Sequence, residues 1–526
     1  LNGAQALMRT LVASGVDVCF TNPGTSEMQF VATLDQVPDM RAILGLFEGA
    51  VTGAADGYAR MSGRPAATLL HLGPGLGNGI ANLHNARRAH TPVVNIVGDH
   101  ATTHLRYDPP LASDIESLAR PVSIWFRESK TAGDLASDAA EAVAASFGPP
   151  GGVATLVAPA DLSWTEVAGP AAPVKARKRE PASADCVEEV AKALRSGEPA
   201  ALFLGGTALR EKGLLAAKAV CETVGASLLC ETLPANIERG GGLPDPERLP
   251  YFAELAIARM EGLRHLVLVD VAAPVSFFAY PDVPGYLVPG DCEVHVLAEH
   301  ADDAPATLQA LADALSGVDS RSEKADSTAE ASASISAGRP DRPTGPLTAE
   351  TAAAAIGALL PEGAVVSDES NTSSVFLPAA TVNGPRHDWM CLTGGAIGQG
   401  IPLATGAAIA CSGRKVLSLE ADGSAMYTMQ ALWTQAREGL DVTTVIFDNR
   451  SYAILNWELS RVGAGAAGPR AKAMLELDHP DLDFVSLAKG MGVPATRATD
   501  AEQFTTQLER ALSEPGPALI DAVLQR

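Results

Sequence analysis

The sequence predicts an α/β fold in which three doubly wound parallel-sheet domains follow one another along one chain. Three observations carry that expectation. The 526 residues suffice for roughly three domains at about 150 residues each. Short, unbroken apolar runs alternate with amphipathic stretches, the pattern of parallel strands covered by helices on both faces. Two stretches of altered composition, Ala168–Ser183 and Gly317–Pro346, divide those runs into three groups.

Taken in order, the first group offers strands at Asp17–Phe20, Arg41–Leu44, Ala66–Leu70, Val93–Val97 and Ala154–Val157. Helical patterns lie between them at Gly49–Arg60 and Asn78–Arg88. The second offers Ala200–Leu204, Ser227–Leu229, His265–Val269 and Glu293–Leu297. The third offers Ala364–Val366, Val416–Leu419, Thr443–Phe447 and Ala518–Val523. Prolines from Arg339 onward block both helix and ladder, so 316–346 reads as a linker. The expected domains are 1–167, 184–315 and 347–526.

Charge narrows the function classes. Lys+Arg number 39 against 62 Asp+Glu, a net charge of −23. That balance argues against a non-specific phosphate footprint on nucleic acid and against docking on anionic lipid. No apolar stretch of about 20 residues occurs, so no membrane span is expected. The N-terminal Leu-Asn-Gly-Ala-Gln lacks a basic region followed by an apolar block, so no secretory signal is expected. Seven scattered cysteines without a Cys-x-x-Cys pair suit neither a disulfide framework nor a zinc site. They read as small buried residues of a cytoplasmic protein.

The strongest chemical signal is Ala421-Asp422-Gly423-Ser424, followed 27 residues after the aspartate by Asn449. Asp422 ends one predicted strand and Asn449 the next, where open α/β sheets bind ligands. Ser424 is expected to open a helix that turns Met426, Met429 and Leu432 inward. A carboxylate, backbone N–H groups and a hydroxyl at a helix start suit a diphosphate and its cation. Mg²⁺ takes oxygen ligands, and Asp422 with the Asn449 amide oxygen would supply two. The plain alternative is an N-cap aspartate and a turn asparagine. There is also a faint repeat: Gly73–Ile80 overlays Gly394–Ile401 with glycine at the first, fifth and seventh positions. It suggests that the first and third domains are related.

These residues resemble the thiamine-diphosphate signature over Asp422–Tyr452, with Ala421 and Asp448 departing from the family's glycine and asparagine. A second match covers Thr21-Asn22-Pro23-Gly24-Thr25, Phe47-Glu48-Gly49-Ala50 and Ala54–Arg60. It is similar to the pyrimidine-binding domain of the acetolactate-synthase, pyruvate-oxidase and benzoylformate-decarboxylase enzymes. The resemblance implies a pyrimidine domain, a middle domain and a diphosphate domain in that order. It implies one cofactor bridging two subunits, hence a homodimer or a dimer of dimers (a homotetramer). Glu48 would be the activating glutamate, because a buried carboxyl can hold a proton on ring nitrogen N1′. Asn371, Gly395, Ile397, Asp422, Gly423, Ser424, Asn449 and Tyr452 would join Glu48 in holding the cofactor, with Gly395 meeting its 4′-amino group and Ile397 wedging it. The metal would take Asp422, Asn449 and the main-chain carbonyl of Ser451.

The same resemblance implies decarboxylation of a 2-oxo acid. Thr25 corresponds to a substrate-carboxylate contact, and His71 to a histidine beside the reacting carbon. The stretch Ala273–Tyr280 lacks the second histidine of benzoylformate decarboxylase and reads as an apolar wall that includes Phe278. The paired histidines and the glutamate of pyruvate decarboxylases are also missing; Leu455 stands at the glutamate position. The sequence therefore favours an acetolactate-synthase-like carboligase over a non-oxidative decarboxylase of an aryl or branched 2-oxo acid. A non-catalytic cofactor-binding homologue is the reading from another class. Gly205-Gly206 after a strand is too weak a phosphate motif to support FAD.

Overall fold

Aliphatic runs buried on both faces build the strands of the computed structural model, which describes residues 1–316, 338–463 and 468–525. The first sheet contains β1 (Val18–Asn22), β2 (Arg41–Leu44), β3 (Ala66–Leu70), β4 (Val93–Asp99), β5 (Trp125–Glu128) and β6 (Val153–Pro159). The middle segment supplies β7 (Ala200–Leu204), β8 (Ser227–Cys230), β9 (Ile237–Arg239), β10 (Glu247–Arg248), β11 (His265–Val269) and β12 (Glu293–Ala298). The last supplies β13 (Ala364–Glu369), β14 (His387–Cys391), β15 (Val416–Ala421), β16 (Val442–Asp448), β17 (Ala495–Ala498) and β18 (Ala518–Val523). The sheets run β2-β1-β3-β4-β6-β5, β10-β8-β7-β11-β12 and β17-β18-β16-β15-β13-β14-β9. The α/β class with three sheets stands. Most of the expected linker falls on 317–337, outside the described residues.

One strand crosses the expected boundaries. β9 leaves the middle segment and pairs antiparallel with β14, Ile237 opposite Trp389, so the third sheet is mixed at that edge. A single apolar core accordingly runs from Val267 and Leu297 to Ile356, Trp389 and Ile520. β14 itself reads His-Asp-Trp-Met-Cys and carries no aliphatic signal, yet it is wholly buried. Its polar groups are matched: Arg210 and Arg414 donate to Asp388, and Trp389 Nε1–H donates to Asp368 Oδ2 at 3.2 Å.

Numbered within each unit, the outer sheets share one strand order, second-first-third-fourth-sixth-fifth. The two domains are related, but the glycine repeat is not the reason. Gly73–Ile80 lies inside the helix Leu72–Arg88 after the third strand of its unit. Gly394–Ile401 follows the second strand and is mostly loop, with the helix Gly400–Ala410 beginning near its end. The equivalent helices are Glu48–Ser62 and Gly400–Ala410, each following a second strand. They pack backbone to backbone. A Cβ on Gly57 would lie 2.0 Å from the Leu403 carbonyl oxygen, and one on Gly406 would lie 1.8 Å from that of Ala54. Only hydrogen at these Cα atoms permits the crossing.

Candidate active site

The first half of the site is built where β1, β2 and β3 end. Glu48 opens the helix Glu48–Ser62 and is 7% exposed. Its carboxylate is not surrounded by apolar groups alone. Asn78 Nδ2–H donates to Oε2 at 2.9 Å, and Asn22 Nδ2–H donates to Oε1 at 3.5 Å. A Cβ on Gly75 would lie 3.4 Å from Glu48 Oε1 and 3.5 Å from the Cβ of His71, so Gly75 separates these two side chains.

His71 caps the helix Leu72–Arg88, and Leu72 after it takes a left-handed φ of 51°, a costly conformation for a leucine. Its Nδ1 lies 2.8 Å from Glu27 Oε2 and 3.1 Å from Ser26 Oγ. Glu27 has no exposed surface and also accepts the Gly24 N–H at 2.8 Å and the Ser26 hydroxyl at 2.6 Å. A buried carboxylate thus sets the orientation of a partly exposed imidazole, leaving Nε2 as its free working nitrogen. A Cβ on Gly24 would meet the His71 ring at 2.3 Å, so the turn must carry glycine there. Thr25 begins this same turn, Thr25–Glu27. The sequence reading did not single out Ser26, Glu27 or Asn78. Glu27 had a signal, since a glutamate three residues after the N-cap Gly24 has capping-box spacing.

The second half lies at the carboxyl ends of β13, β15 and β16. Asp422 is 2% exposed; its Oδ1 accepts from Gly423 N–H at 2.7 Å and its Oδ2 from Arg450 N–H at 2.6 Å. Burial pushes its carboxyl up to about 6; the Gly423 hydrogen bond opposes the rise and the Asp448 charge adds to it. Asn449 Oδ1 accepts the Ser451 N–H at 2.9 Å. Asn371, at φ 49°, donates from Nδ2 to Ser424 Oγ at 2.9 Å. Gly423 sits against the Tyr452 ring, where a Cβ would come within 2.3 Å. The fold therefore brings Asn371, Asp422, Gly423, Ser424, Asn449, Ser451 and Tyr452 together. The expected helix does not continue: Asp422–Ala425 is one turn, and the next helix begins at Ala431. Met429 and Leu432 are buried as expected, but Met426 is 40% exposed because the break turns it outward.

The loop 394–399 is clamped by the first unit. Asn85 Nδ2–H donates to Ala396 O at 2.8 Å, and Asn82 Nδ2–H donates to Gly398 O at 3.1 Å. Gly395 has φ 74°, and Ile397 is half-buried, outside the hydrophobic core. Beneath the loop, Glu369 accepts N–H donors from Gly398 at 2.6 Å and from Gly400. Its cross-strand neighbour Glu420 is 1% exposed, and its Oε2 finds no hydrogen-bond partner. Burial, then the Glu369 charge, raise the Glu420 pKa well above the ordinary value. The folded protein therefore holds a proton there that the unfolded chain releases near pH 4.3. Stability falls as pH rises from that point toward the raised pKa. Glu420→Gln is expected to flatten that slope, seen as a higher melting temperature than wild type at pH 8 but not at pH 4.

A cavity of about 170 Å³ opens where the first and middle units meet. Gly206, Thr207, Asp270 and His300 lie on its middle-domain wall. Asp270 Oδ2 already accepts Thr207 N–H and its hydroxyl, both at 2.7 Å, and Oδ1 lies 2.8 Å from His300 Nδ1. A carboxylate thus occupies the Thr207 N–H, so the Gly205-Gly206 turn adds no support for FAD. Phe278 is 60% exposed, while its neighbour Phe277 packs on Tyr251 at 4.7 Å between ring centres.

Two domains of identical strand order present, at the carboxyl ends of their strands, a buried glutamate after the second strand of one and an oxygen-donor cluster after the third and fourth strands of the other. That arrangement defines a protein that holds a bipartite cofactor with an anionic end. The oxygen donors of Asp422, Asn449 and Ser451 fit a hard divalent cation, and the Asp422–Ser424 turn fits a diphosphate. Comparison with known proteins identifies the class. Residues 1–117 match the thiamine pyrophosphate enzyme N-terminal TPP binding domain, and 371–522 match the corresponding C-terminal TPP binding domain. The chain belongs to the thiamine-pyrophosphate enzyme family. It is 57% identical to a Mycobacterium tuberculosis protein named "Putative acetolactate synthase large subunit IlvX", over 100% of this chain and 99% of the relative. It is 30% identical to benzoylformate decarboxylase of Pseudomonas aeruginosa, over 97% and 96% of the two chains. Among solved structures, the thiamine diphosphate-dependent 4-hydroxybenzoylformate decarboxylase of Rhodococcus jostii RHA1 superposes with a TM-score of 0.84 at 25% identity. That match covers 100% of this chain and 99% of the other.

Proposed function

We propose that this chain, with thiamine diphosphate and Mg²⁺, decarboxylates a 2-oxo acid and releases the product by protonation, as a non-oxidative decarboxylase of an aryl or branched substrate. The observation that carries this reading is the His71–Glu27–Ser26 arrangement beside Glu48. The sequence favours carboligation because the second histidine, the paired histidines and the glutamate of the decarboxylases are missing; the buried Glu27 carboxylate that holds His71 supports this one histidine as a sufficient proton donor. Bound thiamine diphosphate supplies the electron sink for loss of CO₂. Glu48 would hold a proton at ring nitrogen N1′, steadied by Asn22 and Asn78. Asp422, Asn449 and the Ser451 carbonyl would hold Mg²⁺, and Gly423, Ser424 and Asn371 the diphosphate. Gly395, Ile397 and Tyr452 would shape the cofactor cradle. Thr25 would bind the substrate carboxylate and Phe278 would line the pocket. His71 Nε2 would deliver the proton.

Carboligation is the second reading, favoured by the absence of histidine from Ala273–Tyr280 and by the name of the 57% relative. The two readings part on product. With a panel of 2-oxo acids, the first predicts CO₂ and aldehyde in equal amounts, and the second predicts acyloin or acetohydroxy acid. His71→Ala should slow aldehyde release by about 10²-fold and raise the coupled share of product. Wild-type aldehyde release from that variant would remove His71 from the mechanism.

The assembly belongs to the same proposal. Glu48 takes its hydrogen bonds from Asn22 and Asn78, and Asp422 takes its own from Gly423 and Arg450, each from its own half of the site; a second copy of the chain would supply the facing half to each. Exposed Val375, Phe376, Tyr427 and Leu455 fringe the diphosphate half and support coverage by a partner. Unpaired, buried or half-buried cysteines support a reducing compartment, the cytoplasm. Among the described residues no helix is long and apolar enough to cross a membrane.

A further inference from the structure

We propose that the middle domain binds one zinc-class divalent ion at His265, His295 and Glu293, a site separate from the cofactor's cation. The three residues come from the amino ends of β11 and β12, the edge opposite the strand ends that face the 170 Å³ cavity. Register places them side by side. His265 is opposite Glu293 and Val267 is opposite His295, so all three side chains share one face of the sheet.

The distances suit a metal. His265 Nδ1 and His295 Nε2 are 3.0 Å apart, and Glu293 Oε2 lies 3.9 Å from each of those same two atoms. In that triangle the equidistant point is about 2.1 Å from every corner, which is the ordinary zinc–imidazole and zinc–carboxylate length. Two imidazoles and one carboxylate are also a donor set that a borderline-soft ion prefers.

A second, independent feature concerns the far side of His265. Its Nε2 lies 3.3 Å from Glu198 Oε2 and 3.3 Å from Ser196 Oγ. A ligating histidine commonly gives its other N–H to a carboxylate, which fixes the tautomer and aims the lone pair at the metal. Here that assignment leaves Nδ1 as the lone-pair nitrogen facing the triangle. In the metal-free state His295 Nε2–H donates to it. Ligation requires His295 to carry its proton on Nδ1 instead, a tautomer change with no net proton released from a neutral ring.

The histidine side chains are each 8% exposed and the Glu293 side chain is 69% exposed. The pair is therefore set in the protein while the carboxylate can close from solvent, and water can complete the coordination. Because β12 is the edge strand of its sheet, an ion here would fasten that edge to β11.

The test uses the full-length, tag-free chain, stripped with chelator and then given saturating Mg²⁺ and thiamine diphosphate so that the cofactor site is filled. Zinc titration followed by gel filtration and metal analysis should find one zinc retained per chain, with a higher melting temperature. Glu293→Ala, an exposed change that cannot unfold the domain, should weaken zinc binding about 10- to 100-fold, and Glu198→Gln should weaken it about 10-fold. His295→Gln should abolish retention while thiamine diphosphate binding stays at the wild-type level. No retained zinc in the wild type, or wild-type retention in both His295→Gln and Glu293→Ala, overturns the site.

Discussion

Glu48→Gln is expected to lower CO₂ release by about 10²- to 10⁴-fold, the range over which a positioned acid–base group acts. Glutamine matches the glutamate in size and keeps an oxygen for Asn78, but it cannot carry a proton to or from N1′. Its amide N–H₂ would also face the Asn22 amide, which donates to Glu48 Oε1 in the wild type. Cofactor binding should therefore change by no more than about threefold, since the diphosphate half of the site is untouched. Titration of cofactor by fluorescence quenching, alongside single-turnover CO₂ release, separates the two effects. Equal turnover in wild type and variant would favour the non-catalytic reading.

Asp422→Ala is expected to weaken Mg²⁺-dependent binding of thiamine diphosphate by about 10²-fold or more, because a hard cation loses its charged ligand. Asp35→Ala, at an exposed position in the first unit, serves as the acidic control and should bind normally. The apo-protein tells a different story. A carboxylate whose pKa burial has raised to about 6 opposes folding when ionised, which offsets the loss of its hydrogen bonds from the Gly423 and Arg450 N–H groups, so removing it should leave the melting temperature of the metal-free chain nearly unchanged. Loss of binding without loss of stability marks a ligand; loss of both together would mark a structural aspartate.

The same two variants report on assembly. Each alone should be inactive, but co-expression should restore about a quarter of wild-type activity if sites form between two chains of a symmetric dimer. Half of the randomly paired dimers are mixed, and each mixed dimer contains one site with both intact halves. No recovery would place the whole site within one chain.

Much of this was legible in the sequence because it rests on local rules. Aliphatic runs such as Ala66–Leu70 and Thr443–Phe447 have no other good use than a doubly covered strand, and the structure places β3 and β16 there. Asp422 and Asn449 were visible because strand ends and ligand sites coincide. What escaped depends on tertiary matching. β14 is buried through ion pairs and an indole hydrogen bond that only folding assembles, so His387–Cys391 carries no apolar signature. Glu27 went unnoticed because its local spacing marks no more than a short-range cap, and only folding brings His71 to it from 44 residues away. The glycine repeat misled in register, because glycine makes room for side chains such as Ser113 and Thr52 in one place and takes a left-handed φ at Gly398 in the other.

The excursion of β9 has a practical side. A gene cut at the compositional boundary, giving 347–526 alone, would leave β14 without its outer neighbour. Its row of unpaired N–H and C=O groups would then be open to the same edge of another molecule. The severed piece would also lose the middle-segment side chains that complete its core, Val267 and Leu297 among them. Such a fragment is expected to precipitate or form strand-paired oligomers, whereas a cut in the 170s would leave β9 attached. For domain shuffling among relatives, the unit that can be exchanged is the middle and last segments together.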